Sequence, residues 1–434
     1  MTIDQGKKIG GISAAAIVVA NMIGTGVFTT LGQQLELLDN AWVVLSLWVV
    51  GGVIALFGAI SYAELGTKFP ESGGEYHFLS SIFHPFIGYL SGWVSLTVGF
   101  ATSISLSAMS IGDYLKVYVT MPSGAIAILA ILVLTLLHSY NLERSSWVQN
   151  ILTLFKVILI FFLLVGGVVL TGNNGMGSLS GDVMAEVFSS NYAVALVMVL
   201  YAYSGWNAAV YIIDEIDKPR KNLPFALIGG TILVIILFVL LQWTFLRHTG
   251  VELLRNKVEV GQIVANQMFG AKGGILISIL ISLFLTASIS AMIWVGPRVT
   301  RAIADKYKIW SFFAKDNDAG IPVRAIWLQA FISVLMVMTS TFDQILTYSG
   351  FILQIFTTLT VMGVVVARYK KLGEKDFYKS AGFPIVQIIF LAISFWVLYS
   401  LLIDKPRESL FGLINIFAGA LSFYWNKLRE KYFE

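Results

Sequence analysis

The sequence predicts an all-α membrane protein of twelve transmembrane helices, and two observations carry that prediction. Of 434 residues, 57% are hydrophobic and 12% are charged, against about 25% charged in a soluble domain, which excludes an ordinary soluble enzyme. Stretches free of Asp, Glu, Lys and Arg run over 9–35, 40–63, 76–112, 117–142, 157–181, 187–213, 222–246, 273–297, 325–342, 344–367, 380–403 and 409–426. A helix crosses a bilayer with about 20 apolar residues, so the twelve stretches read as twelve spans. The fifth must extend back to Ser145 to be long enough, which leaves Lys156 inside it.

Charge placement orients the spans. With the N-terminus cytoplasmic, 21 of the 29 Lys and Arg residues fall in inside segments, Lys7 and Arg144 among them, seven fall outside, and Lys156 lies in the membrane. The positive-inside rule therefore predicts a multi-pass protein of the cell membrane with both termini cytoplasmic. The net charge of +4 is then a topological signature rather than a sign of nucleic-acid binding. The first stretch, 27 residues long, reads as an uncleaved span. With no cysteine and four histidines, no disulfide, thiolate metal site, catalytic residue or cofactor is expected.

Span 1 carries Asn21-Met22-Ile23-Gly24-Thr25-Gly26-Val27-Phe28 at its middle, and span 6 carries Tyr201-Ala202-Tyr203-Ser204-Gly205-Trp206-Asn207 at its own. One glycine-rich point in a span is a packing device. Two in corresponding helices point to a transporter built from inverted repeats with a midplane site at the broken helices. Five helices per half divide the chain into repeats 1–182 and 183–371, with 372–434 added. Half-helix N-termini offer free N–H groups to an anion, and the other broken ends offer carbonyls to a cation. A pocket with both suits the main chain of an amino acid.

With Tyr62-Ala63-Glu64-Leu65-Gly66, Phe69-Pro70-Glu71-Ser72-Gly73-Gly74-Glu75-Tyr76 and Asn222-Leu223-Pro224 added to these motifs, the chain resembles the amino acid–polyamine–organocation superfamily. Its span 6 motif, and a lysine after Val148-Gln149-Asn150 in span 5, are most similar to the L-type amino acid transporters and their bacterial relatives. The resemblance implies the leucine-transporter fold of five-plus-five inverted repeats. It implies that the substrate carboxylate meets the N–H groups at Thr25 and Gly26, and that the ammonium meets carbonyls near Met22, Tyr201 and Ser204. Tyr201 stands where the family has a gating aromatic, usually phenylalanine, and Ser204 where L-type members usually have glycine. The expected substrate-binding set is Met22, Ile23, Gly24, Thr25, Gly26, Tyr201, Ser204, Gly205, Trp206 and Asn207. Animal members pair with a glycoprotein subunit through a disulfide; a chain without cysteine is expected to work without that partner.

Lys156 at mid-span costs roughly 2.5–3.5 kcal/mol on insertion scales, which argues for a role. The resemblance implies that its ammonium replaces the sodium ion of coupled relatives between helices 1 and 8, facing Ser288 and Ser290. Glu64, Glu71 and Glu75 are expected to structure or gate the cytoplasmic side. Asp214 and Glu215 are expected to form a solvated cluster with Lys218, Arg220 and Lys221, and Gly296-Pro297-Arg298 to kink span 8. Trp93 and Trp294 read as packing or interface anchors. No acidic residue or arginine falls near the breaks, so the pocket, with Tyr203, Ser103 and Ser107 at hand, is expected to take neutral amino acids, small or polar ones first. No repeated rings of like residues suggest a channel, and no Gly-x-x-x-x-Gly-Lys suggests a pump. The expected function is sodium-independent exchange of neutral L-amino acids, with proton-coupled symport or cationic amino acid and polyamine transport as alternatives.

Overall fold

The computed structural model describes residues 8–140, 145–172, 176–177, 182–317 and 320–432; Lys7 and Arg144, counted above for topology, lie outside them. Among the described residues the regular elements are all helices. Helix α1 (Gly11–Met22) stops at residues 23–25, after which α2 (Gly26–Thr29) and α3 (Leu31–Leu37) follow with Thr30 between them. Helix α4 (Ala41–Lys68) starts at Asn40, whose side chain accepts from the Trp42 N–H, a polar cap at the head of an apolar run. Helices α5 (Gly74–Ile82) and α6 (Pro85–Val94) follow; a π-helical turn, Ser95–Gly99, carries α6 into α7 (Phe100–Leu115). Then come α8 (Ser123–Tyr140), α9 (Ser145–Val169) and the short α10 (Val183–Val187).

Helix α11 (Ser190–Ala202) ends early and gives way, past residues 203–207, to a 3-10 helix over Ala208–Glu215. Helix α12 (Pro219–Pro224) runs through a second π-turn, Phe225–Gly229, into α13 (Gly230–His248). The remainder is α14 (Val251–Leu254), α15 (Val260–Lys306), a 3-10 helix Lys308–Phe313, α16 (Val323–Thr339), α17 (Phe342–Tyr369), α18 (Ile385–Asp404) and α19 (Pro406–Tyr432).

Among the described residues, eight helical stretches are long and apolar enough to cross a membrane: Gly11–Thr29, Ala41–Lys68, Pro85–Leu115, Ser123–Tyr140, Pro219–His248, Val260–Lys306, Phe342–Tyr369 and Ile385–Asp404. Three of the other expected spans are shorter apolar helices, Phe155–Val169, Ser190–Ala202 and Val323–Thr339. The second is short because the chain breaks at its end. Leu, Ile, Val and Phe side chains stand exposed along the outer helices, with Phe161, Ile236, Phe331 and Phe395 each more than half exposed, as lipid-facing positions require.

The helices sort into two packed groups. Helix α13 packs on both α1 and α4, and α11 packs on α4. Helix α7 packs on α8, α15 and α16, while α9 touches both α13 and α15. Both interruptions lie in the first group and face the second. Its open end is tied by an isolated parallel bridge between Ile9 and Ile216, whose backbone bonds are 2.8 and 2.9 Å long.

One local expectation is corrected, and α15 carries a break that was not expected. Within α15 the backbone leaves helical values at Gly270 (φ 72°), and Pro297 lies inside helix. Glycine reaches that φ without a Cβ clash, whereas a proline can be carried inside a membrane helix when neighbours satisfy the freed carbonyl. The acidic and basic residues after the second interruption do not pair among themselves: Arg220 pairs with Asp376, and Asp214 accepts from the Ser72 N–H at 3.2 Å.

Candidate functional site

The first interruption is a tight turn. Ile23 leaves helical ψ (84°), and Gly24 N–H donates to the Met22 carbonyl at 2.8 Å. Helix then restarts at Gly26, where the first N–H groups have no intrahelical partner. At the second interruption Ser204 N–H donates to the Tyr201 carbonyl at 3.0 Å, and Gly205 turns with φ 101°, a value that excludes nearly every other residue.

The two interruptions interlock through their glycines. A Cβ on Gly205 would lie 2.8 Å from the Asn21 carbonyl, and one on Gly26 would lie 2.6 Å from Ala202 Cα. Each glycine lets one broken helix approach the backbone of the other.

A cavity of about 150 Å3 opens where they meet. Residues 20–26 and Tyr201, Ala202, Ser204 and Gly205 form one wall; Ser103, Ser107, Lys156, Ser288, Ala291 and Met292 form the other. Asn21 and Ser204 are exposed while Met22, Ile23 and Gly26 are buried, so solvent reaches the cavity past Asn21 and Ser204. On the α3 side it is sealed. Thr25 Oγ1 and Ser107 Oγ are 2.6 Å apart, Tyr201 and Ser103 share a 3.2 Å hydroxyl contact, and Gln242 donates to the Val27 carbonyl at 2.7 Å.

Lys156 reaches this cavity from α9 and is 4% exposed. Its ammonium donates to the Ile23 carbonyl at 3.3 Å and to Ser288 Oγ at 3.1 Å, and lies 4.7 Å from the centroid of the Phe284 ring. One cation thereby joins α1, α9 and α15. Ser290 does not join it: its hydroxyl contacts His138 Nε2 of α8 at 2.8 Å. The reason is helical geometry, since residues two apart face opposite sides.

Met22, Ile23, Gly24, Thr25, Gly26, Tyr201, Ser204 and Gly205 are brought together as expected, and Trp206 and Asn207 are not. Trp206 is buried under Gly58, its ring edge-on to Tyr62 at 4.6 Å, and Asn207 donates to Glu75 Oε1 at 3.3 Å. Tyr203 likewise turns away and donates to the Trp48 carbonyl at 2.9 Å. Of the carbonyls expected to meet an ammonium, those of Met22 and Tyr201 already accept a backbone bond, which leaves each one free lone pair. Asn21, Ala291 and Met292 line the cavity without having been singled out. The latter two lie three and four residues past Ser288, on its face of the helix.

The acidic residues after α4 serve two separate structures. Glu64, fully buried, takes both arms of Arg368 at 2.6 Å and the Ser380 N–H at 2.8 Å, binding α4 to α17 and the chain before α18. Glu75 accepts from the Tyr62 hydroxyl at 2.5 Å and from Asn207. Among the described residues no cluster of His, Asp and Glu could hold a metal.

The profile of the amino acid permease family matches residues 9–421. The serine/threonine exchanger SteT of Bacillus subtilis is 27% identical over 98% of this chain and 98% of its own. The b(0,+)-type amino acid transporter 1 of Homo sapiens is 26% identical over 96% of this chain and 87% of its own, and the large neutral amino acids transporter small subunit 2 of Rattus norvegicus 29% identical over 96% and 81%. With a match across nearly its whole length and membrane-capable helices throughout, the chain belongs to the amino acid permease family of the amino acid–polyamine–organocation superfamily, with L-type transporters among its relatives: a multi-pass membrane transporter, not an enzyme.

Proposed function

We propose that this chain is a sodium-independent exchanger of small neutral L-amino acids, working by alternating access across the cytoplasmic membrane. The observation that carries the reading is the cavity where the two broken helices interlock, lined by no carboxylate among the described residues and with the Lys156 ammonium fixed at its edge. The N–H groups opening α2 would hold the substrate carboxylate, with Thr25 Oγ1 beside them. The remaining lone pairs of the Met22 and Tyr201 carbonyls would take the ammonium, and Tyr201, tethered to Ser103, would gate the α3 side.

Among the described residues, no carboxylate and no arginine lines the cavity. A desolvated cationic side chain would lack a partner there, which disfavours the cationic reading. An apolar cavity of about 150 Å3 accommodates a molecule the size of benzene. Alanine, serine and threonine fit that volume more readily than tryptophan does. Lys156 between the Ile23 carbonyl and Ser288 supplies a positive charge where a sodium ion would need to sit, and like charges repel one another at that distance.

The two packed groups support a cycle in which α1, α4, α11 and α13 rock against α7, α8, α15 and α16 about the cavity. In this reading the repeats are 1–182 and 183–371, residues 372–434 add the last two of twelve spans, and both termini are cytoplasmic. The absence of cysteine fits a transporter that works without a disulfide-linked subunit.

Competition binding tests the site. Alanine, serine and threonine are expected to displace a labelled small neutral amino acid, and alanine amide and N-acetylalanine to fail. Displacement by both blocked forms would show that the interruptions do not read the main chain; arginine as the best competitor would overturn the neutral pocket.

A further inference from the structure

We propose that Glu75 is a proton-binding site whose occupancy is linked to the position of the 3-10 helix Ala208–Glu215, so that amino acid exchange at the cavity depends on pH through this residue. The inference rests on the transport cycle proposed above; it adds a second ligand, the proton, at a place outside the substrate cavity.

Glu75 lies near the start of α5, before the apolar stretch Pro85–Leu115, and is 8% exposed. Its hydrogen-bond partners are two neutral donors, the Tyr62 hydroxyl at 2.5 Å and Asn207 Nδ2 at 3.3 Å. Among the described residues, the groups around it offer no compensating cation. Tyr62 faces it from α4 and Tyr211 from the 3-10 helix, while α17 places the uncharged Thr360 beside Tyr62. On its own stretch Glu71 and His77 pair with each other at 3.6 Å, and Lys306 of α15 is spent on the Tyr76 ring and hydroxyl. A buried carboxylate held only by neutral donors binds a proton more readily than a solvated one. Burial accordingly pushes the Glu75 carboxyl above the ordinary carboxylate range, against the pull of its bonds to Tyr62 and Asn207.

What encloses Glu75 is the segment that leaves the second interruption. Asn207, two residues past the Gly205 turn, bonds it directly. The Tyr211 ring covers Gly74 so closely that a Cβ there would come within 2.5 Å, and Ser72 and Asp214 exchange two 3.2 Å bonds alongside. Movement of Ala208–Glu215 relative to α4 and α5 breaks the Asn207 bond and lets water reach the carboxyl. The enclosed conformation therefore holds the proton more tightly than the opened one. By linkage, acid favours the enclosed conformation, and this preference is lost as pH rises through the raised value. The step is a protonation alone: the carboxylate takes a proton from water on enclosure and returns it on opening.

Equilibrium exchange of labelled alanine in proteoliposomes, at equal pH on both sides from about pH 5 to about pH 8, is the test. Each unit of difference in proton affinity between the conformations is tenfold in their ratio, so the wild-type rate is expected to fall by about tenfold toward acid. Glu75→Gln keeps both acceptor contacts and mimics the protonated group; it is expected to be slow and pH-independent. Tyr62→Phe, which removes a donor to the carboxylate, is expected to move the midpoint to higher pH. A wild-type pH profile in Glu75→Gln overturns the proposal and moves the proton elsewhere, to Lys156 first. The pH-difference infrared spectrum of the purified protein reads the site without transport: a carboxylic acid band that titrates in the wild type and is missing in Glu75→Gln supports the assignment, and its persistence in the variant refutes it. If neither protein exchanges any amino acid, the transport reading fails while the infrared result still decides the proton site.

Discussion

Replacing Lys156 by methionine removes the ammonium and keeps most of the apolar stem. In the folded chain that ammonium makes two charge-assisted hydrogen bonds, to Ile23 and Ser288, and a contact with the Phe284 ring. Hydrogen bonds to charged groups contribute about 1.5–3 kcal/mol each. Against them stands the cost of desolvating a lone ammonium, several kcal/mol per buried ion. The two nearly cancel, so Lys156→Met is expected to change the melting temperature little. What it removes is the brace between α1 and α15, both of which line the cavity. Losing one bond of about 1.5 kcal/mol from the Ile23 carbonyl shifts the balance of two conformations by about tenfold. The expected result is an exchange rate down by about tenfold or more in proteoliposomes, with alanine affinity, read by ligand-induced thermal shift, within a few fold of wild type. A rate within about twofold of wild type would refute the bracing role, since a bond of that strength cannot be lost so quietly. Loss of affinity with an unchanged maximal rate would instead make Lys156 a direct contact of the substrate.

The interlocked glycines give the next expectations. Gly26→Val drives a side chain into Ala202, an overpacking of about 1–3 kcal/mol; it is expected to lower the melting temperature and to abolish alanine binding together. An unchanged melting temperature would show that Ala202 yields to the added side chain and that Gly26 acts on binding alone. Gly205→Ala meets both an unfavourable φ and the Asn21 carbonyl, and should behave the same way in the same assays. Cavity size is tested by Met292→Ala, expected to raise the competition of leucine and phenylalanine relative to alanine; an unchanged order would mean that Met292 does not bound the side-chain space.

The positions of both interruptions were legible because Gly, Thr, Ser and Asn are out of place at the middle of apolar runs, and the chain does leave the helix at residues 23–25 and 203–207. The directions of the side chains beyond them were not. Once the backbone passes through a φ of 101° at Gly205, the 3.6-residue period no longer says which way Trp206 and Asn207 point, and both turn toward α4 and α5. Ser288 and Ser290 could have been separated by periodicity alone, and Ala291 and Met292 recovered with it. The Glu64–Arg368 pair spans 304 positions, and nothing local announces it. Gly270 ends a helical run with no proline nearby, whereas Pro297, the stronger sequence signal, sits where helix continues.

The central claim, that the cavity at the two interruptions exchanges small neutral amino acids without sodium, is tested most directly by counterflow in proteoliposomes. Vesicles loaded with unlabelled alanine, serine, arginine or glutamate are diluted into labelled alanine in sodium-free medium and again in sodium medium. The account predicts rapid accumulation of label in vesicles holding alanine or serine, little in those holding arginine or glutamate, and equal rates with and without sodium. Accumulation that requires sodium, or that is driven best by internal arginine, would contradict it.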